Sequence, residues 1–134
     1  MAILPRQVGW TFDLRHFTLA AMLQRVLDQL PILPVSHNPA VSKRVLFARG
    51  EAPNITQIAR STFPPGEIAP GHSHADMWEV FIFESGAGEI AIDGETHRVA
   101  GGAAFLVQPG ETHEIRNTGS EPLVVTVIGI AEAR

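Results

Sequence analysis

His72 and His74 stand with a single residue between them, Glu79 follows five residues after His74, and His113 comes after a hairpin-like interval. Each of these side chains offers a lone pair to a cation. In extended chain, residues two apart share a face, so His72 and His74 could ligate one ion from a short stretch. Glu79 belongs to the run Trp78-Glu79-Val80-Phe81-Ile82-Phe83, in which Glu79, Phe81 and Phe83 lie on one face. A carboxylate in an aromatic, inward-facing row is costly to bury unless something positive meets it, and a divalent cation would do so. Downstream, His113, Ile115 and Asn117 share parity, while Glu114 and Arg116 take the opposite face. Three neutral imidazoles and one carboxylate suit iron, manganese, nickel, cobalt, copper or zinc better than calcium or magnesium. A six-coordinate ion would keep two positions open for water, dioxygen or a bidentate substrate. A structural zinc site would instead be closed and rich in thiolates.

These side chains need strands to position them, and the chain reads that way from Val45 onward. Candidate strands are Val45–Arg49, Thr56–Phe63, Glu79–Glu84, Glu89–Ile92, Thr96–Val99, Ala104–Val107, His113–Asn117 and Leu123–Ile130. Asp93-Gly94 signals a two-residue hairpin, whose pairing sets Glu89 opposite Arg98 and His97 opposite Ile90. Pro109-Gly110 and Asn117-Thr118-Gly119-Ser120 mark further turns. Short strands punctuated by Gly and Pro predict an all-β protein, a sandwich or a barrel. Upstream the period changes. Leu19, Leu23, Val26, Leu27 and Leu30 fall at helical spacing, with Thr18 as N-cap and Pro31 as stop, so an N-terminal α-helix is expected over Thr18–Leu30. Residues 31–39 hold three prolines and read as an extended connector. The expected organisation is residues 1–44 as helix and connector, packing on the barrel or on a partner subunit, and residues 45–134 as the barrel domain.

Gly66, His72, His74, Glu79 and Gly86 together resemble the first motif of the cupin superfamily, and Gly102, Gly110, His113 and Asn117 resemble its second. In the second motif the family usually has Pro two residues before the later Gly. This chain has Gln108 there and puts Pro109 directly before Gly110, a departure that touches a turn and no ligand. The resemblance is to small single-domain, metal-binding cupins. It implies a double-stranded β-helix, a jelly-roll-like barrel, with one divalent transition-metal ion (iron, manganese, nickel or zinc) held near one mouth by His72, His74, Glu79 and His113. It also implies a homodimer. Related cupins include dioxygenases, decarboxylases, isomerases and lyases.

Composition narrows the function further. The chain has 134 residues, enough for one domain with its own core. It contains no cysteine, which removes disulfides, thiolate zinc sites, iron–sulfur clusters and cysteine nucleophiles. A net charge of -4 without a basic cluster argues against nucleic acid or an anionic membrane as partner. The first residues lack the pattern of a signal peptide, so a cytoplasmic location is expected. Parity makes Phe81, Phe83, Phe105, Ile115, Asn117 and His97 candidates for a substrate pocket, although the same bulky groups are what any barrel core needs. Of Gln57 and Arg60, at most one can face inward. No residue stands out as a catalytic acid or base once Glu79 serves as a ligand; Asp76 and His97 are the reserves. His16 and His37 read as surface or connector residues. The expected function is a metal-dependent enzyme of dioxygenase, isomerase or lyase type acting on a small organic molecule. The alternative is a non-catalytic binding or sensing domain in which the ion anchors the ligand.

Overall fold

Period-two burial organises the whole molecule, and β10 (Leu123–Ala131) shows it most simply. Leu123, Val125 and Val127 are buried, and they alternate with half-buried Val124, Thr126 and Ile128. A strand with that pattern needs partners on both edges and an apolar layer beneath one face. β10 finds its edges in β3 (Ile55–Phe63) and β5 (Met77–Ser85), both antiparallel to it, so that Val125 pairs with Ser61 on one side and Phe83 on the other.

The computed structural model describes residues 22–133. Among them, β1 (Leu33–Val35), β2 (Asn38–Ala48), β3, β10, β5 and β8 (Ala104–Val107) form a six-stranded sheet in that order. A four-stranded sheet runs β4 (Ile68–His72), β9 (His113–Arg116), β6 (Ala87–Ile92) and β7 (Glu95–Ala100). The inner faces meet over a core that includes Phe63, Phe81, Phe83, Ile90, Ile115, Leu123 and Val125. This is the expected all-β, double-sheet barrel. No helix among the described residues is long and apolar enough to cross a membrane.

The Asp93-Gly94 hairpin forms as its residues require. Both have positive φ, 48° and 85°, and the register sets Glu89 against Arg98 and Ile90 against His97. Asp93 also ties this turn to the second motif, because its Oδ1 accepts the Thr112 N–H at 2.9 Å. Gly86 has a different role. It lies at φ 89°, and a Cβ there would overlap the carbonyl oxygen of Pro122 and crowd Leu123 Cα.

The N-terminal α-helix is not formed where the chain can be followed. Residues 18–21 of that segment lie outside the described residues, and Met22–Leu30 contains a 3-10 turn over Leu27–Gln29 and no α-helix. Val26 and Leu30, on either side of the turn, are extended, Leu30 as expected before Pro31. Contacts with the barrel explain the difference. Arg25 forms a two-pronged ion pair with Glu51 at 2.6 and 3.1 Å, donates to Leu46 O, and lies 5.2 Å over the Phe47 ring. Arg44 donates to Leu27 O at 2.9 Å. These long-range bonds hold the segment along β2, and they outweigh a weak local preference for helix. The proline-rich stretch that follows supplies β1, an edge strand that tolerates Pro34, and the start of β2.

Candidate metal centre

The two motifs meet at one mouth of the barrel because β4 and β9 pair there. His72 is the last residue of β4 and stands in register with His113, the first of β9. Just beyond β4, His74 is fixed through its backbone, since the Gly110 N–H donates to His74 O at 2.7 Å. Glu79 reaches the same place from the other sheet, inward-facing on β5 and 6% exposed. The Pro109-Gly110 turn therefore holds both histidine segments. Its Gly110 anchors His74, and the carbonyl of the next residue, Glu111, meets His113 Nδ1 at 3.2 Å.

One ligand atom from each of His72, His74, Glu79 and His113 lies within 4.8 Å of the other three. Glu79 Oε2 is 2.9 Å from His74 Nε2 and 3.0 Å from His113 Nε2. Those distances suit hydrogen bonds, yet Glu79 Oε2 and His113 Nε2 are both buried without an aligned partner. Buried polar atoms are seldom left so. Close but misaligned contacts are what results when several lone pairs aim at a shared point and not at one another. The outer nitrogens fit the same reading: His72 Nδ1 meets Pro70 O at 2.8 Å, and His113 Nδ1 meets Glu111 O. With Nδ1 donating to a carbonyl, each Nε2 is left as a lone-pair donor directed inward. The donor set and the two orphaned atoms fit a divalent transition-metal ion.

Without an ion, the cluster balances its own charge. Burial alone pushes the Glu79 carboxyl up, but its close contact with His113 and the charges of the neighbouring imidazoles outweigh it and hold the pKa below the ordinary value. His113 is buried too, which favours the neutral ring, yet its contact with Glu79 and the Glu111 carbonyl raise its pKa. Burial lowers the pKa of His72, and the neighbouring histidines add to that.

A cavity of about 200 Å³ opens beside the four donors. Of the six candidates from parity, Phe81 and Ile115 line it. The other four lie elsewhere. Phe83 is fully buried deeper in the core and packs edge-on against Phe105 at 6.3 Å; the His97 ring lies 5.5 Å from Phe105, half-exposed on β7. Shared parity put these side chains on a face, but position along the strand placed them away from the mouth. Asn117 is a latch: its Nδ2 donates to Phe63 O and Glu121 O, and its Oδ1 accepts the Gly119 N–H. Both its amide hydrogens are used and the residue is 1% exposed, so it serves the fold and does not face the cavity.

The cavity also holds polar residues beyond the predicted set. His37, expected in the connector, sits in the β1–β2 turn and stacks on His72 with ring centroids 4.1 Å apart. Lys43 and Gln57 line the wall as well. Of the pair left open by parity, Gln57 faces the cavity, while Arg60 lies 3.8 Å from Glu84 and does not line it. Lys43 shares its parity with the buried Val41, a signal that an inward lysine was possible. Nothing local marks His37.

The family described as "Cupin domain" matches residues 59–129. The oxalate-binding protein of Thermotoga maritima is 30% identical over 66 residues, which is 49% of this chain and 54% of that protein. The match thus spans about half the length of that curated relative. Among solved structures, a predicted oxalate decarboxylase from Thermotoga maritima superposes with a TM-score of 0.75 at 23% identity, covering 82% of this chain and 99% of the other. The polyketide cyclase RemF from Streptomyces resistomycificus gives 0.70 at 18% identity, covering 83% and 81%. At such identities these two likenesses speak for the fold alone.

Proposed function

Because the chain belongs to the cupin domain family, with the matched segment holding all four clustered side chains, we propose that it binds one divalent transition-metal ion through His72, His74, Glu79 and His113 and uses it to take up a small organic acid. The observation that carries this reading is the pair of buried, unaligned atoms, Glu79 Oε2 and His113 Nε2, facing one point. Bound there, iron, manganese, nickel or zinc would supply a Lewis acid for carboxylate or carbonyl oxygens.

The chain's own residues set the rest. The Pro70 and Glu111 carbonyls fix the ring orientation of His72 and His113. Phe81, Ile115, Val125 and Val127 supply an apolar part of the wall, and polar contacts to a ligand are stronger beside it than in water. A cavity of about 200 Å³ falls below the roughly 300–1,000 Å³ of sites for drug-sized molecules, so the ligand is small. The name of the Thermotoga maritima relative, an oxalate-binding protein, supports an organic acid.

Binding is the reading favoured over catalysis, because among the described residues Glu79 is the only carboxylate lining the cavity and it belongs to the cluster. An enzyme of dioxygenase, isomerase or lyase type is the second reading. It is favoured by His37, an imidazole at the cavity able to carry a proton. Calorimetric titration of metal-loaded and metal-free protein with acetate, oxalate and malonate tests the proposal. Heat of binding is expected only with metal present, and absence of binding by the loaded protein overturns it. Steady loss of the acid over time would favour the enzyme.

A further inference from the structure

The cavity that holds the four donors also holds a second polar group, built on β2 and β3. Lys43 extends inward, and its Nζ donates to Gln57 Oε1 at 3.1 Å. With the amide oxygen engaged, the NH2 of Gln57 is the end left to donate. Ser61, the register partner of Lys43, adds a hydroxyl on a residue 7% exposed. All three line the cavity.

This group has more positive charge than its surroundings balance. Among the described residues no carboxylate lies within ion-pairing distance of Lys43, and the cavity's one acidic residue, Glu79, is already engaged by His74 and His113. An ammonium turned into a largely apolar cavity is costly without a counter-charge. The cavity as a whole is also cationic when loaded. A divalent ion offset by Glu79 leaves one positive charge, and Lys43 brings another, so a dianion would neutralise the pair.

We propose that Lys43, supported by Gln57 and Ser61, is an anion subsite that makes the protein selective for short diacids, one acidic group on the metal and the other on the ammonium. The proposal rests on the organic-acid reading above and narrows it. Two positive poles in one cavity favour a ligand with two acidic ends, and the small volume limits the chain between them. Lys43 and Gln57 precede residue 59, where the match to the family begins, whereas Ser61 and the four metal-site residues fall inside it. The charge that would confer selectivity thus comes from outside the matched segment.

The test uses full-length protein loaded with Mn²⁺, titrated calorimetrically with oxalate, malonate and succinate and with acetate and propionate. At least one diacid is expected to bind 10-fold or more tightly than either monoacid. Lys43→Met is expected to collapse that preference by about 10–100-fold, the usual worth of a charge-assisted hydrogen bond. Metal content measured on the same samples reports whether the site is still formed. Equal affinity for diacids and monoacids in the unaltered protein overturns the subsite and leaves the organic-acid reading standing. So does an unchanged preference in Lys43→Met. Failure of every acid to bind overturns both. The comparison in the unaltered protein decides the matter even if the variant does not fold.

Discussion

Replacing Glu79 by glutamine removes one charge and almost no volume, and the structure assigns it two separate consequences. Glu79 Oε2 lies 2.9 Å from His74 Nε2 and 3.0 Å from His113 Nε2 on a residue only 6% exposed. A glutamine can still offer its oxygen but brings no negative charge. Loss of a mere hydrogen-bond partner of a metal ligand costs roughly 10–100-fold in affinity, so loss of the charged ligand should cost about 100-fold or more, near 2.8 kcal/mol. In the metal-free protein the effect is on stability and depends on pH. Contact with Glu79 raises the pKa of His113, so this contribution is full below the ordinary histidine value of 6.5 and disappears as pH climbs through the raised value. The lowered pKa of Glu79 contributes above 4.5 and is lost as pH falls through the lowered value. The stability deficit of Glu79→Gln should therefore be largest between 4.5 and 6.5 and shrink above that window. Competition with a chelator gives the affinity, and urea denaturation of metal-free protein at several pH values gives the deficit. Affinity within a few-fold of the unaltered protein, or a deficit that grows with pH, would refute the reasoning.

Metal affinity of the unaltered protein should fall on acidification, beginning above pH 6.5 because His113, with its raised pKa, must lose a proton to bind; chelator competition across pH would show this, and a flat profile would not fit. Asn117→Ala breaks hydrogen bonds to Phe63 O, Glu121 O and Gly119 N, so it should cost about 2–4 kcal/mol in denaturant titration yet leave metal affinity unmoved. Gly86→Ala combines a positive φ with overlap on the Pro122 carbonyl, and a loss of about 2–5 kcal/mol by the same measurement is expected. Removing metal should leave the far-ultraviolet circular dichroism of a β-protein intact, because the core between the sheets is apolar and does not depend on the four side chains.

The clustered side chains were legible because two local rules act on them. Strand parity puts His72, Glu79 and His113 on inner faces, and glycine and proline spacing sets the turns that bring the strands together. The Asp93-Gly94 hairpin is a clear instance: turn chemistry alone set its register down to the Ile90–His97 pair. What was not legible depends on distance in sequence. His37 stacks on His72 across 35 residues of chain, and no periodicity connects a turn residue to a strand end so far away. The expected helix, not formed over Met22–Leu30, has the same origin. Its apolar spacing was real, but Arg25 reaches Glu51 and Arg44 reaches Leu27, bonds that no window of neighbouring residues contains. Phe83 and Asn117 show a third limit, since parity states which face a side chain takes and not how far along the barrel it stands.

Metal stoichiometry tests the central claim most directly. Protein reconstituted with Mn²⁺ or Zn²⁺, desalted and analysed for elements beside the double variant His72→Ala, His113→Ala should carry about one ion per chain, and the variant close to none. Equal metal in both samples, or none in either, would contradict the account.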